Sequence, residues 1–252
     1  MYTKQCSNSG NEISTWAIKL RLAMMNPRSI IALICFLCAA AHADNQQRPA
    51  DFDHEESKRR LVNRIEFPDI KGDASTMILC FSQVASSGKM TATGCYTKDN
   101  FDGPFAAAIM KAAKKSSMNP AIINGKRRKV YVQFRVEFIA KDDDRDIYIY
   151  ANPGYAENVE AYGYAHVAPQ RVIGKEAWQK VCPQRAKYMI LARAFVSEDG
   201  QPGHPSLEHI KGIRPTIECQ NAITATILQS LYTPAMSDGY PVPSSFIESF
   251  GN

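Results

Sequence analysis

Apolar and polar side chains alternate through residues 129–140 (KVYVQFRVEFIA), and this period of two predicts a β-strand with one buried face. The apolar positions of this strand are Val130, Val132, Phe134, Val136 and Phe138. A shorter stretch at residues 242–250 predicts another strand near the end of the sequence, with Val242 and Phe246 among its apolar positions. Both stretches are short enough for strands and too regular for loops.

The predicted elements occur twice in the same order. The triplet Met-Ile-Leu stands at residues 77–79 and again at 189–191, and each copy runs into a glycine turn. An alanine-rich stretch with helical spacing follows each turn, at residues 105–117 and 218–231. The turn and breaker residues recur at matching places, namely Gly88, Pro120 and Gly125 in the first copy and Gly200, Pro234 and Gly239 in the second. We expect the prolines to end the helices, so the pattern predicts a tandem β-β-α-β repeat.

An export signal is predicted at the front of the chain. The apolar run at residues 30–41 is too short to cross a bilayer comfortably and ends in a small-x-small pattern. This pattern predicts cleavage between Ala43 and Asp44. Met24 or Met25 would start a signal of more usual length, so the first methionine is an over-called start or the leader is long. The alternative is an uncleaved membrane anchor.

Cysteine usage agrees with export. Four of the seven cysteines lie beyond the leader, and they are Cys80, Cys95, Cys182 and Cys219. An even number of cysteines in an exported chain indicates two disulfides, for which three pairings are possible. Zinc binding is the competing interpretation, but these four include no Cys-x-x-Cys pair.

Composition and charge narrow the class of function. The chain of 252 residues is 45% apolar and 22% charged, as in ordinary globular proteins. Its formal net charge of +5 falls close to neutral once the basic leader is set aside, which argues against nucleic-acid binding. The sequence has no nucleophile elbow, phosphate loop or metalloprotease motif. We therefore expect a protein that is not an enzyme and has no cofactor or metal.

Three charged clusters remain as candidates for chemistry. His204 and His209 are five residues apart with Pro205 between them, and we expect them to lie in a solvated loop. The acidic run at residues 142–146 lacks the glycine and distal glutamate of a calcium loop and predicts a charged turn. A basic patch that would face anionic lipid or peptidoglycan is predicted from Lys111, Lys114, Lys115 and residues 126–129.

The second copy carries motifs of a known family. It reads Phe-Val-Ser-Glu-Asp-Gly at 195–200, Tyr-Thr-Pro-Ala at 232–235 and Asp-Gly-Tyr-Pro-Val at 238–242. This order of elements resembles the TonB C-terminal domain family. In that family a strand, an x-Asp-Gly turn, a second strand and an alanine-rich helix are followed by aromatic-x-Pro-Ala and a final Asp-Gly-x-x-Val strand. The first copy is similar, with Met118 at the aromatic position.

The resemblance implies an α+β fold of two tandem β-β-α-β domains. The expected division is a signal peptide at 1–43, a polar segment at 44–73, a first domain at 74–151, a Tyr-rich linker at 152–176 and a second domain at 177–252. On this scheme Cys80 faces Cys95 on the adjacent strand, and Cys182 pairs with Cys219. We expect the tyrosines between the copies to pack the domains together, the alternative being contacts to peptides or glycans; they are Tyr148, Tyr150, Tyr155, Tyr162 and Tyr164.

In TonB energy transducers this domain pairs an exposed edge strand with a peptide of an outer-membrane receptor, by β-strand addition. The matching edges here are the strands at 129–140 and 242–250, unless both are interior strands. The long membrane helix and Pro-rich spacer of a transducer are not evident. We therefore expect a periplasmic protein that recognises a protein partner in the cell envelope, with an outer-membrane receptor peptide as candidate. The alternatives are an atypical transducer anchored in the inner membrane, and a structural or assembly protein that contacts peptidoglycan or a membrane surface.

Overall fold

Alternating strands and glycine turns build the first repeat, which comprises residues 74–141. Its elements are β1 (Ala74–Val84), β2 (Met90–Cys95), α1 (Asp102–Ala113), β3 (Ala121–Ile123), β4 (Lys126–Arg128) and β5 (Val130–Lys141). β1 lies between β2 and β5 and is antiparallel to both. Because successive side chains of a strand point to opposite faces, one face of β1 and β5 is almost wholly apolar and packs against α1.

The computed structural model describes residues 47–53, 57–174, 176–183 and 187–251. These residues belong to one compact unit, Asn45–Asn252. The predicted leader lies outside the described residues, together with Met24, Met25 and the cleavage site between Ala43 and Asp44. Two short 3-10 turns, Ser57–Arg59 and Val62–Arg64, precede the first repeat. In the described part, no helix has both the length and the apolar character needed to cross a membrane.

The connecting segment between the repeats, residues 142–187, has secondary structure of its own. It contains β6 (Asp144–Tyr150), α2 (Ala156–Tyr162), β7 (Gln170–Val172) and α3 (Trp178–Val181). The predicted linker at 152–176 is therefore more than a linker, because it holds a helix and a strand that pairs with β5. Asp142 and Asp143 form the turn between β5 and β6, so the charged turn predicted at 142–146 is shorter than expected and its last three residues belong to β6.

The second repeat, residues 188–251, follows the plan of the first. Its elements are β8 (Tyr188–Val196), β9 (Pro202–Gly212), α4 (Ile217–Gln229), β10 (Tyr232–Thr233), β11 (Ala235–Ser237), β12 (Tyr240–Val242) and β13 (Ser244–Gly251). β8 lies between β9 and β13, just as β1 lies between β2 and β5. The fold is thus mixed α+β with antiparallel strand pairs, which confirms the expected class. β9 includes His204 and His209, so the prediction that they lie in a loop was wrong.

Glycine is required at the first turn of each repeat. Gly88 and Gly200 have positive φ angles of 85° and 74°, which favour glycine. A side chain at Gly88 would collide with the backbone carbonyl of Met118, and one at Gly200 would lie 2.7 Å from the carbonyl of Tyr232. The turns are therefore held against the segment that follows each helix.

The prolines have a different role from the predicted one. α1 ends at Ala113 and α4 ends at Gln229, several residues before Pro120 and Pro234. Each proline instead precedes a short hairpin, β3–β4 or β11–β12. The tight turns of these hairpins use positive φ at Asn124-Gly125 and Asp238-Gly239, as two-residue hairpin turns require.

The structure contains the two disulfides that the family resemblance implied. Cys80 and Cys95 are directly opposite each other on β1 and β2. Cys182, just after α3, is bonded to Cys219 in the first turn of α4. Thr216 caps that helix by accepting a hydrogen bond from the Cys219 amide.

Each repeat has its own apolar core, but the repeats are joined. The first core lies between α1 and the β1–β5 sheet, and the second lies between α4 and the β8–β13 sheet. Tyr131 of β5 belongs to the second core, where it packs 6.3 Å from the ring of Phe246. β10 pairs with β7, so the sheet of the first repeat contains a strand from the second. The two repeats therefore share a sheet and part of their packing.

Candidate functional site

The predicted partner edge of the first repeat is not an edge. β5 pairs with β1 from Val130 to Ala140, while β7 pairs with the start and β6 with the rest of its other side. Its five apolar positions are all buried in the core, and they are Val130, Val132, Phe134, Val136 and Phe138. The prediction was wrong for this strand because the connecting segment folds back and occupies the side where a partner would pair.

The predicted edge of the second repeat is divided between two strands. Val242 belongs to β12 and pairs with Ala235 of the β11–β12 hairpin, so it does not lie on the partner edge. Phe246 lies in β13, where its ring is buried against Tyr232. Its side chain thus supports the core, and only the backbone of its strand is placed to meet a partner.

β13 has one paired edge and one open edge. It pairs with β8 from Ser244 to Gly251 and with no other described strand. At the open edge, Asn158 of α2 donates a hydrogen bond to the carbonyl of Ser245 and accepts one from its N–H. Both groups of Ser245 therefore point away from β8. Because backbone direction alternates along an antiparallel strand, the N–H and C=O groups of Ile247 and Ser249 and the N–H of Gly251 also point outward.

A cavity of about 450 Å³ adjoins the carboxyl end of this open edge. It is formed between the repeats, with walls from Phe81, Gln83 and Tyr96 on one side and Trp178 and residues 248–251 on the other. The rings of Phe81 and Tyr131 stack with centroids 5.9 Å apart, and Trp178 meets Phe250 edge to face. The cavity therefore combines aromatic walls with the outward backbone of β13. We refer to it as the inter-repeat cavity.

A buried ion pair lies beside the inter-repeat cavity. Arg171 of β7 donates two hydrogen bonds to the carboxylate of Glu248 of β13, at 2.6 and 2.8 Å. Arg171 also contacts Glu176, with a nitrogen–oxygen distance of 3.0 Å. Burial opposes the charge on Arg171, but the two carboxylates outweigh it and raise the pKa of the guanidinium. Burial raises the pKa of Glu248, and Arg171 opposes that change. The pair joins the connecting segment to the second repeat.

Tyrosine hydroxyls line the same region. The Tyr96 hydroxyl is hydrogen-bonded to the Ser249 hydroxyl across the repeats, at 2.5 Å. The hydroxyls of Tyr131 and Tyr188 are buried and make no hydrogen bond of normal geometry within the described residues. Burial raises the pKa of all three tyrosines, so their hydroxyls stay neutral at physiological pH. They add polar, uncharged atoms to an aromatic surface.

Two tyrosines of the connecting segment pack against the first repeat, and the expected packing of the two domains by the whole set stays a prediction. Tyr150 and Tyr164 hold the guanidinium of Arg135 between their rings, with its central carbon 4.6 and 4.8 Å from the two ring centroids. His166 is buried nearby, and its Nδ1 lies 2.6 Å from the Gly163 carbonyl oxygen. Burial and the charge of Arg135 lower the pKa of His166. This cluster connects the connecting segment to β5.

The other charged candidates do not form a metal site. His204 and His209 are exposed on β9, and no group of metal-binding side chains occurs in the described ranges. In the predicted basic patch, Lys111 is paired with Glu66 at 2.7 Å. Lys89, Lys114 and Lys115 line a separate surface cavity of about 400 Å³ at the end of α1.

Several residues of the candidate site were missed by sequence reasoning. Asn158, Arg171 and Trp178 lie in the segment that we expected to be a linker or near its end. Glu248 could have been found from the sequence, because it is a single charge within an apolar strand. Such a charge is buried with a partner more often than alone. The sequence matches no protein-family model, and no curated protein or solved structure matches it either.

Proposed function

We propose that this protein is a non-catalytic recognition protein of the cell envelope, which binds an extended segment of a protein partner along the open edge of β13. The observation that carries the proposal is the one-sided pairing of β13, with outward backbone groups at Ser249 and Gly251 beside a cavity. In β-strand addition these groups supply affinity, and neighbouring pockets supply selectivity.

In the first repeat, the edge of β5 that corresponds to the open edge of β13 is already paired with a strand, and this supports the proposal. β5 and β13 begin at Val130 and Ser244, so Arg135 matches Ser249. β6 pairs with β5 from Arg135 onward, and it is antiparallel to it. β7 pairs with β5 at Tyr131, which matches the place where Asn158 binds Ser245. A partner strand at Ser249 would therefore occupy the position that β6 holds in the first repeat.

The disulfides and the family resemblance support the proposed compartment and partner class. Two disulfides are compatible with an oxidising compartment outside the cytoplasm. The resemblance to the TonB C-terminal domain favours the periplasm and a peptide of an outer-membrane receptor. Mature protein that begins at Asp44 in the periplasmic fraction supports this assignment, whereas an intact leader in the inner membrane favours the anchored-transducer alternative.

Photo-crosslinking in the host cell tests the binding edge. A photoreactive residue at Ser249 should capture a partner, whereas the same residue at Glu208 on the opposite edge of the sheet should not. The captured segment, made as a synthetic peptide, should slow amide hydrogen exchange at Ser249 and Gly251 on binding. The amide of Phe250 already faces β8 and serves as the internal control. Equal capture from both edges, or no added protection at the outward amides, would refute binding by strand addition.

A second candidate function rests on the lysines at the end of α1. Lys89, Lys114 and Lys115 form no ion pair within the described part of the chain, and they surround one cavity. Such a surface suits the anionic groups of a peptidoglycan or a membrane. Co-sedimentation with isolated cell-wall sacculi that is lost in a Lys114→Glu, Lys115→Glu variant supports this candidate. Unchanged sedimentation of that variant refutes it.

A further inference from the structure

The inter-repeat cavity adjoins the part of β13 that is open to a partner. The backbones of Ser249 and Gly251 line the cavity and point outward from the sheet. Nearer its start the edge is closed at Ser245 by the side chain of Asn158. A partner strand can therefore pair over a short length only, and its neighbouring side chain enters the cavity. With so few main-chain hydrogen bonds, that side chain must contribute much of the selectivity.

None of the described residues that line the cavity offers a free charge to a ligand. Glu248 is its one acidic lining residue, and both carboxylate oxygens are already bound by Arg171. No lysine, arginine or histidine lines it within the described residues. A charged side chain that entered would lose its hydration without gaining a counter-ion, which is costly. The electrostatics thus favour an uncharged occupant.

The walls suit a large aromatic side chain. Phe81 of the first repeat and Trp178 of the connecting segment line the cavity and are partly exposed. Gln83 and Gln179 add neutral amides, and no hydrogen bond occupies their side chains within the described part. Aromatic side chains bury much surface at little entropic cost, and neutral amides can meet the polar tip of tyrosine or tryptophan. The volume of about 450 Å³ accommodates such a ring with its adjoining backbone.

We infer that the partner segment carries one large uncharged aromatic residue, which inserts into the inter-repeat cavity while its backbone pairs with β13 at Ser249 and Gly251. This inference rests on the proposed function, because it assumes that a peptide binds at the β13 edge. It adds that the two repeats together create selectivity, since the cavity takes its walls from both. A single repeat of this kind has no such cavity.

Peptide selection tests the inference. The protein, as its host cell processes it, is used to select from a displayed library of random octapeptides, and enriched sequences are made as synthetic peptides. We expect enrichment of tryptophan, tyrosine or phenylalanine at a single position. Replacing that residue by alanine should weaken binding by about 30-fold, the size of an interface hot spot, and lysine or glutamate should weaken it at least as much. Calorimetry measures the dissociation constants.

A variant of the protein whose side chain fills the cavity tests the same inference from the other side of the interface. Gln83→Trp places a large ring in the cavity from a half-buried position of β1, whose backbone pairing is unaffected. Met77→Trp is the control, because Met77 lies on the same face of the same strand and is exposed outside the cavity. The aromatic peptide should bind Gln83→Trp at least about tenfold more weakly and should bind Met77→Trp like the parent protein. The peptide substitutions keep the test valid if Gln83→Trp fails to fold.

The possible results separate the inference from the proposed function. If no library peptide binds, both are refuted. If peptides protect the outward amides of β13 but show no aromatic preference, the proposed function stands and the inference is overturned. A neutral oligosaccharide, such as one of N-acetylglucosamine, is included as a separate probe. Saccharide binding that Gln83→Trp abolishes would assign the cavity to a sugar and would also overturn the inference.

Discussion

The buried Arg171–Glu248 pair links β7 of the connecting segment to β13 of the second repeat, and Glu248→Gln tests its contribution to stability. The two side chains are only 3% and 8% exposed and are joined by two parallel hydrogen bonds. Glutamine keeps the size of the side chain but removes its charge. It also turns an amide N–H₂ towards the guanidinium, so two donors face each other where a donor and an acceptor stood.

The expected loss of stability follows from the geometry of the pair. Removing one partner of a buried ion pair costs roughly 3–5 kcal/mol, because the remaining charge is buried without compensation. Arg171 retains its contact with Glu176, at 3.0 and 3.2 Å, and this favours the lower limit. We therefore expect Glu248→Gln to lower the free energy of unfolding by about 3 kcal/mol. For a unit of this size the melting temperature should fall by about 6 to 12 °C.

Urea unfolding with intact disulfides measures this loss, and the chain offers a matched control. Arg193 and Glu208 also form an ion pair in the second repeat, but their side chains are 51% and 61% exposed and 3.6 Å apart. Glu208→Gln should therefore change the free energy of unfolding by less than about 1 kcal/mol. Equal effects of the two substitutions would show that burial of the Arg171–Glu248 pair does not set its contribution.

Three further outcomes are expected from the structure. Replacing Cys80 and Cys95 together by serine should destabilise the oxidised protein by about 3 kcal/mol, the loop-closure value for their separation of 15 residues, and a loss near zero in urea titrations would contradict this. Gly88→Ala should destabilise more than Gly72→Ala, because both have positive φ but only the side chain at Gly88 would meet backbone; equal shifts in melting temperature would refute the reasoning. The folded protein lowers the pKa of His166 from its ordinary 6.5, so the free energy of unfolding should fall as the pH drops below about 6.5. His166→Gln should reduce that fall, which melting curves at about pH 7.5 and about pH 5 measure.

Local signals in the sequence predicted the elements of the fold well. The alternation at 129–140 and the helical spacing at 105–117 and 218–231 appear in the structure as β5, α1 and α4, with ends displaced by a few residues. Gly88 and Gly200 were recognisable because a positive φ angle is a local requirement that few other residues meet. The prolines were misread because the same residue that ends a helix can equally precede a hairpin.

The candidate site was predicted only in part. The stretch at 242–250 indicated the strand that contains the open edge, but the alternation at 129–140 predicted β5 as a partner edge equally well. Side-chain patterns report which face of a strand is buried, and they do not report which backbone edge is already paired. Asn158 and Arg171 were missed because their partners, Ser245 and Glu248, are distant in sequence.

The sequence by itself determined the repeat, the α+β class, the turns and the positions of the cysteines, since each depends on residue types within a short window. Only the tertiary structure decided that β6 and β7 cover the edge of β5 while β13 stays open. It also decided that β10 joins the sheet of the first repeat and that a cavity forms between the repeats. These features depend on pairings between distant segments, and the free energy of such pairings is set by packing and loop closure rather than by local pattern.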